Sequence, residues 1–125
     1  MGMTGHYGYG ADEDQAIATI HRAFDHGVSL LNTSDSYGPH LNEELIGRAL
    51  KQGHGRAILN TKFGLVRYPD GRCGVNCRPD HVLRSCEASL KRLGVEAIDI
   101  YTQHRVDPET PVEETVGALS RLVEV

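Results

Sequence analysis

Apolar residues along this chain fall into two alternating periods. Ile17, Ile20 and Phe24 make one stripe of a helix over 13–26, with Asp12 and Gln15 spaced as a capping box before it and Gly27 after it. The apolar run 28–31 predicts a strand, and the polar run 32–40 a loop. Asn42 suits the N-cap of a second helix that carries Leu45, Ile46, Ala49 and Leu50, and Gly53 and Gly55 break it. Residues 57–62 predict the second strand. Residues 64–78 predict a loop, with Gly64, Gly71 and Gly74, a Pro-Asp-Gly turn at 69–71 and no apolar period. Pro79 opens a third helix whose apolar face is Val82, Leu83, Ala88, Leu90 and Leu93, and Gly94 closes it. Residues 95–101 predict the third strand. Thr110 and Glu113, flanking Pro111, have the spacing of a capping box for a fourth helix that runs to Val125 with no stop signal.

Short apolar strands, each followed by a helix, demand a parallel sheet of βαβ units. There is no repeat at a solenoid period and no linker, so residues 1–125 belong to one domain. An open doubly wound sheet is one closure of such units and an eight-stranded barrel the other. The open sheet calls for a glycine-rich phosphate turn. Gly8 and Gly10 begin one, but Glu13 occupies the third glycine position. Polar residues recur instead where strands end, at 32–37, Lys62 and His104, and in a barrel those ends share one mouth. That favours the barrel.

Composition narrows the function classes. A net charge of -4 and 24% charged residues over 125 residues give no electrostatic reason to expect nucleic acid. No apolar run approaches the roughly 18 residues of a membrane span. The first ten residues lack a secretory pattern, and His6 stands where a myristoylation motif wants Ser or Thr. Cys73, Cys77 and Cys86 are odd in number, which points to a reducing compartment, the cytoplasm by default. Cys73, Cys77 and His81 lack a fourth local ligand, so no metal is expected. Arg67, Arg72 and Arg78 give their loop positive charge, and Asp12 to Asp14 read as helix N-terminal charge.

Tyr37, Lys62 and His104 are each ordinary alone: loop tyrosines usually pack, and histidines after strands usually serve structure. A lysine ending an apolar strand is stranger, because its ammonium needs a partner or water. Together at successive strand ends, the three suit carbonyl reduction. Hydride added to a carbonyl carbon leaves negative charge on oxygen, and a proton donor must lie within reach. Tyrosine, with an ordinary pKa near ~10, is a weak donor, and an adjacent ammonium makes its proton easier to give up. A histidine can orient the substrate oxygen with a second hydrogen bond. None of the three supplies hydride, so a cofactor must.

The stretch from Leu30 through Asn32, Thr33, Ser34, Asp35, Ser36 and Tyr37 to Gly38 resembles the signature of the aldo-keto reductase family at the end of its second barrel strand. Asn42 to Leu50 resembles the helix after it. Asn60-Thr61-Lys62-Phe63-Gly64 resembles the third-strand lysine motif. Ser89 to Gly94, then Ile98 to His104, resembles the fourth-strand histidine motif. Met3-Thr4-Gly5-His6-Tyr7-Gly8 resembles the loop after the first strand. The matches are in order and cover nearly the whole chain.

The resemblance implies part of a (β/α)8 TIM barrel, about strands 2–4 and helices 1–4, truncated at both ends. A barrel of this kind needs about 250 residues or more. It implies an NADP-dependent oxidoreductase that reduces aldehydes and ketones. Tyr37 would be the proton donor, Lys62 its cationic partner and His104 the substrate-orienting group. Thr4 and Asn32 would lie at the NADP(H) site. The family's fourth active-site residue is an aspartate five positions before the tyrosine, and here that position is Asn32, which carries no charge. Asp35 is then expected to order its loop. Asn32 lends weight to an alternative, a non-catalytic NADP-binding regulatory barrel like the channel-associated relatives. The retained Tyr37, Lys62 and His104 oppose it.

Overall fold

The computed structural model describes residues 2–5, 12–53 and 56–124. The Gly8 and Gly10 pattern, His6, Tyr7, Gly55 as a helix stop and the run of the last helix to Val125 lie outside those residues. The chain opens on a 3₁₀ turn, Gly2–Thr4. Helix α1 (Glu13–Asp25), strand β1 (Leu30–Asn32), helix α2 (Leu41–Lys51) and strand β2 (Ile58–Phe63) follow. Then come β3 (Leu65–Arg67), β4 (Cys73–Val75), α3 (Pro79–Leu93), β5 (Ile100–Gln103) and α4 (Val112–Val123). No described helix is long and apolar enough to cross a membrane.

Strands β1, β2 and β5 form a parallel sheet in that order, as the alternation of strands and helices demands. Along β2, Leu59, Thr61 and Phe63 are buried under the helices, while Ile58, Asn60 and Lys62 take the opposite face. On that second face Leu30, Ile58 and Ile100 remain more than 40% exposed. One core cluster joins α1, α2 and Leu59, through Ile17, Ile20, Leu45, Ile46 and Ala49, to Leu93 at the end of α3. A second gathers Phe63, Cys77, Val82 and Ala118.

Several boundaries differ from the expectations, each for a local reason. The first strand starts at Leu30 because the N–H of Val28 bonds Ala23 O and belongs to the helix-ending turn. The second runs on to Phe63, which pairs with Gln103. The third begins only at Ile100. Just before it, the Asp99 carboxylate accepts the N–H of Leu59, a place the ladder would otherwise fill with a carbonyl. Segment 64–78 is more than a loop: β3 and β4 pair antiparallel around the Pro-Asp-Gly turn, with Leu65 opposite Val75 and Arg67 opposite Cys73. Strands of three residues are too short to show a period.

Two caps are also corrected. Asp12 accepts from the N–H groups of Asp14 and Gln15, as expected. The N-cap of α2, however, is His40, in the left-handed region at φ 69, and Asn42 lies inside the helix, buried. At α4, Pro111 takes the cap position without a side-chain hydrogen bond, and the Thr110 hydroxyl donates to Asp107 instead.

Helices α2 and α3 meet at Gly47. A Cβ there would come within 2.5 Å of Arg92 O and 2.9 Å of Leu93 O, both backbone atoms that cannot swing aside. Gly47→Ala is expected to destabilise the fold by about 1–3 kcal/mol. The clash outweighs the roughly 1 kcal/mol that alanine adds to an exposed helix. A urea midpoint lower than that of the unsubstituted protein is the expected reading.

Candidate active site

The sheet register gathers the polar residues at one end. Asn32 closes β1, Lys62 sits one residue before the end of β2, and His104 follows β5 directly, its N–H bonded to Phe63 O. Tyr37 comes from the turn after β1. That turn is wound by bonds from the N–H of Tyr37 to Ser34 O, of His40 to Asp35 O and of Asn42 to Tyr37 O. Its base continues the sheet, since Thr33 N bonds Asn60 O and Asp35 N bonds Lys62 O.

The ammonium of Lys62 uses its three donors within the site. It donates to Asn32 Oδ1 at 2.5 Å, to Thr33 O at 2.6 Å and to Tyr37 Oη at 3.2 Å. Its charge also lies 4.8 Å from the centre of the Tyr37 ring. The Tyr37 and His104 rings meet edge to face, centroids 5.8 Å apart. Tyr37, Lys62, Asn32 and His104 are thus brought together as the strand-end argument requires. Asn32 is one of the side chains that Lys62 grips, so an amide dipole faces the ammonium there. Burial, aided by the Lys62 and Arg105 charges, pushes the His104 pKa down. The shift favours the neutral ring.

The remaining expected residue, Thr4, reaches the site through α2. Its hydroxyl accepts from Asn42 Nδ2 at 3.3 Å, and Asn42 Oδ1 accepts from Thr33 Oγ1 at 2.7 Å. Thr4 also lies against Gly38, where an added Cβ would come within 3.1 Å of it. Gly38 has φ +88, a conformation that glycine takes without strain.

Sequence reasoning missed the residues beneath the site. Ser34 is fully buried, and its hydroxyl lies 3.1 Å from His104 Nδ1. Glu43, fully buried on α2, accepts from Arg92 Nε at 2.6 Å and from Thr61 Oγ1 at 2.5 Å. Nothing local marks either residue's role, because His104, Thr61 and Arg92 lie 18 to 70 positions from the residues they meet.

Asp35, expected to order its loop, is buried, and desolvation raises its pKa to about 6. A carboxyl whose folded pKa exceeds its unfolded value stabilises the fold at low pH and loses that advantage as pH rises. The window here is pH 4 to 6, with a magnitude on the order of 2 kcal/mol. Asp70, Asp80 and Asp107 have lowered pKa values and run the other way. The comparison that isolates Asp35 is therefore urea unfolding of Asp35→Asn and unsubstituted protein at both ends of the window. The stability difference should move in favour of the asparagine variant as pH rises.

A cavity of 760 Å³ lies beside the site, between the β3–β4 hairpin, the start of α2 and α3, with Asp35 and Ser36 at its edge. Cys73, Cys77 and Cys86 are free thiols. Among the described residues no group of three His, Cys, Asp or Glu side chains could hold a metal ion.

Comparison with known proteins bears on the family and the fold. The model of the aldo/keto reductase family matches residues 1–125. The chain is 46% identical to the probable aldo-keto reductase 1 of Glycine max over 127 residues, covering 99% of this chain and 36% of that protein. Its fold is similar to the glycerol dehydrogenase of Gluconobacter oxydans, with a TM-score of 0.89 and 33% identity, over 98% of this chain and 39% of that one. An aldo/keto reductase from Klebsiella pneumoniae, solved in complex with NADP and acetate, matches with a TM-score of 0.77 and 29% identity, over 99% of this chain and 38% of that one. The chain thus spans well under half the length of these relatives.

Proposed function

This chain belongs to the aldo/keto reductase family and forms part of its TIM barrel, and from that premise we propose that the whole protein reduces aldehydes or ketones to alcohols with NADPH. The observation that carries the proposal is the Lys62 ammonium bonded to the Tyr37 hydroxyl at a strand-end mouth, with His104 beside it. A bound nicotinamide supplies the hydride. The chain's own residues then handle the oxygen. The Tyr37 hydroxyl donates its proton to the developing alkoxide. Lys62, already donating to Tyr37 Oη, steadies the phenolate left behind. His104 donates to the same substrate oxygen and fixes its direction.

The residues present suit one end of an NADP(H) site. Asn32 is exposed at the mouth, and the Lys62 bond engages its oxygen, so its amide N–H groups would serve a polar ligand. Thr4, held against Gly38 next to Tyr37, lies on the other side of the same turn. Thr4 and Asn32 would hold the nicotinamide end. Two edge strands and the exposed face of Leu30, Ile58 and Ile100 leave much of a dinucleotide pocket to other parts of a barrel. The 125-residue polypeptide by itself is therefore expected to bind NADPH weakly and to turn over nothing.

Two measurements test the proposal. The full-length protein should oxidise NADPH when given members of an aromatic aldehyde panel. A full-length protein that binds NADPH yet reduces no member would favour the regulatory alternative. Fluorescence titration of the 125-residue chain should show no stoichiometric NADPH binding, and tight binding would overturn that part of the reading.

A further inference from the structure

The His104 ring can present only one N–H while it is neutral, and which nitrogen carries it is set by the partner of the other. Nδ1 lies 3.1 Å from the hydroxyl of Ser34, a residue with no exposed surface in the floor of the turn after β1. We propose that Ser34 donates its hydroxyl proton to His104 Nδ1, and so holds the ring in the tautomer that carries its proton on Nε2 and presents it to the substrate oxygen. This deepens the reading above, because it names the residue that makes His104 a donor rather than an acceptor. Ser34 is a positioning residue, acting through His104.

The direction of the bond follows from counting donors and lone pairs. A serine hydroxyl has one proton and two acceptor sites. Ser34 Oγ already accepts the N–H of Ser36 at 3.2 Å, and the Ser36 hydroxyl lies 2.9 Å away, where either oxygen can be the donor. When the Ser36 hydroxyl donates, both acceptor sites are filled, and a protonated Nδ1 would bring a third donor to an oxygen with no lone pair left. In that arrangement the Ser34 hydroxyl proton is directed to an acceptor of its own. Besides Nδ1 it could go to Asp35 Oδ1 at 3.2 Å or to Lys62 O at 3.5 Å. Lys62 O already accepts from Asp35 N. Asp35 is the next residue in the chain, and its carboxyl oxygen lies slightly farther from Ser34 Oγ than Nδ1 does. Nδ1 is the nearest of these three acceptors and, in a ring kept neutral, an open lone pair.

The experiment uses full-length protein labelled with ¹⁵N-histidine, together with turnover. In the unsubstituted protein at neutral pH, the His104 ring nitrogens should give the signature of the Nε2–H tautomer. In Ser34→Ala the two tautomers should mix. Turnover number over KM should then fall about 100-fold, the scale on which loss of one donor to a developing oxyanion is felt. Ser34→Thr, which keeps the hydroxyl, should restore the signature and most of the rate. An Nδ1–H tautomer in the unsubstituted protein overturns the proposal, and so does a Ser34→Ala variant that keeps the Nε2–H signature. If the alanine variant does not fold, the signature of the unsubstituted protein still decides. The ring measurement needs no substrate, so it stands even if Tyr37 proves not to be the proton donor.

Discussion

Tyr37→Phe should lower the rate of carbonyl reduction by about 10²- to 10⁴-fold, the range that a positioned general acid contributes. Phenylalanine keeps the ring that meets His104 edge to face, so packing at the turn is little disturbed. It removes only the oxygen to which Lys62 donates at 3.2 Å. The Lys62 ammonium keeps Asn32 Oδ1 and Thr33 O, so the lysine stays in place and the fold should survive. The loss should fall on the turnover number, with NADPH affinity nearly unchanged, because a proton is transferred only in the transition state. The measurement is steady-state NADPH oxidation by the full-length variant, alongside NADPH titration. A variant that keeps its turnover would remove Tyr37 from the role of proton donor. One that loses NADPH binding as well would point to damage in the site rather than to lost acid chemistry.

Glu43→Ala should be the most damaging stability change in the chain, at about 3–5 kcal/mol, the cost of removing one partner from a buried ion pair. Glu43 has no exposed surface, and its side-chain partner Arg92 is 17% exposed. One carboxylate oxygen takes the Arg92 Nε–H, the other the hydroxyl of fully buried Thr61 on β2. A single side chain on α2 thereby ties α3 to the sheet, one residue before Lys62. Alanine strands a cation and a buried hydroxyl together. Arg92 retains only Ser89 Oγ, at 3.2 Å. Natural domains hold only about 5–15 kcal/mol in all, so a large drop in the urea midpoint, or poor accumulation of folded protein, is expected. Glu43→Gln, which still offers an acceptor oxygen and similar volume, should lose distinctly less. Equal and small losses in both variants would show that the pair adds little to stability.

These two residues mark where sequence reasoning succeeded and where it stopped. The place of Tyr37 beside Lys62 and His104 was legible because strand ends follow from short-range pattern and share one mouth. The helix stripe at Ile17, Ile20 and Phe24, the Asp12 cap and the Pro79 start are likewise local, settled by residues within a turn or two of each other. Glu43 was not legible. On a helix surface a glutamate is ordinarily solvated, and only the approach of Arg92, 49 positions on, makes it a core residue. Asn42 misled for a similar reason: its residue type suits a cap, but bonds to Thr33 and Thr4 drew it inside the helix and left His40 at the cap. The β3–β4 hairpin escaped because its strands are three residues each and take their stability from pairing with one another.

The sequence by itself determined the order of the four helices and of the three parallel strands, and the presence of Tyr37, Lys62 and His104 at their ends. Those depend on backbone periods and caps, which are short-range. Only the tertiary structure decided that Lys62 grips Asn32 and Tyr37 at once, that Asp35 is buried, and that Ser34 lies under His104. Each of those depends on strand register. A shift of one residue along a strand sends its side chains to the opposite face of the sheet, and no spacing within a single segment records which residue of a distant strand it will face.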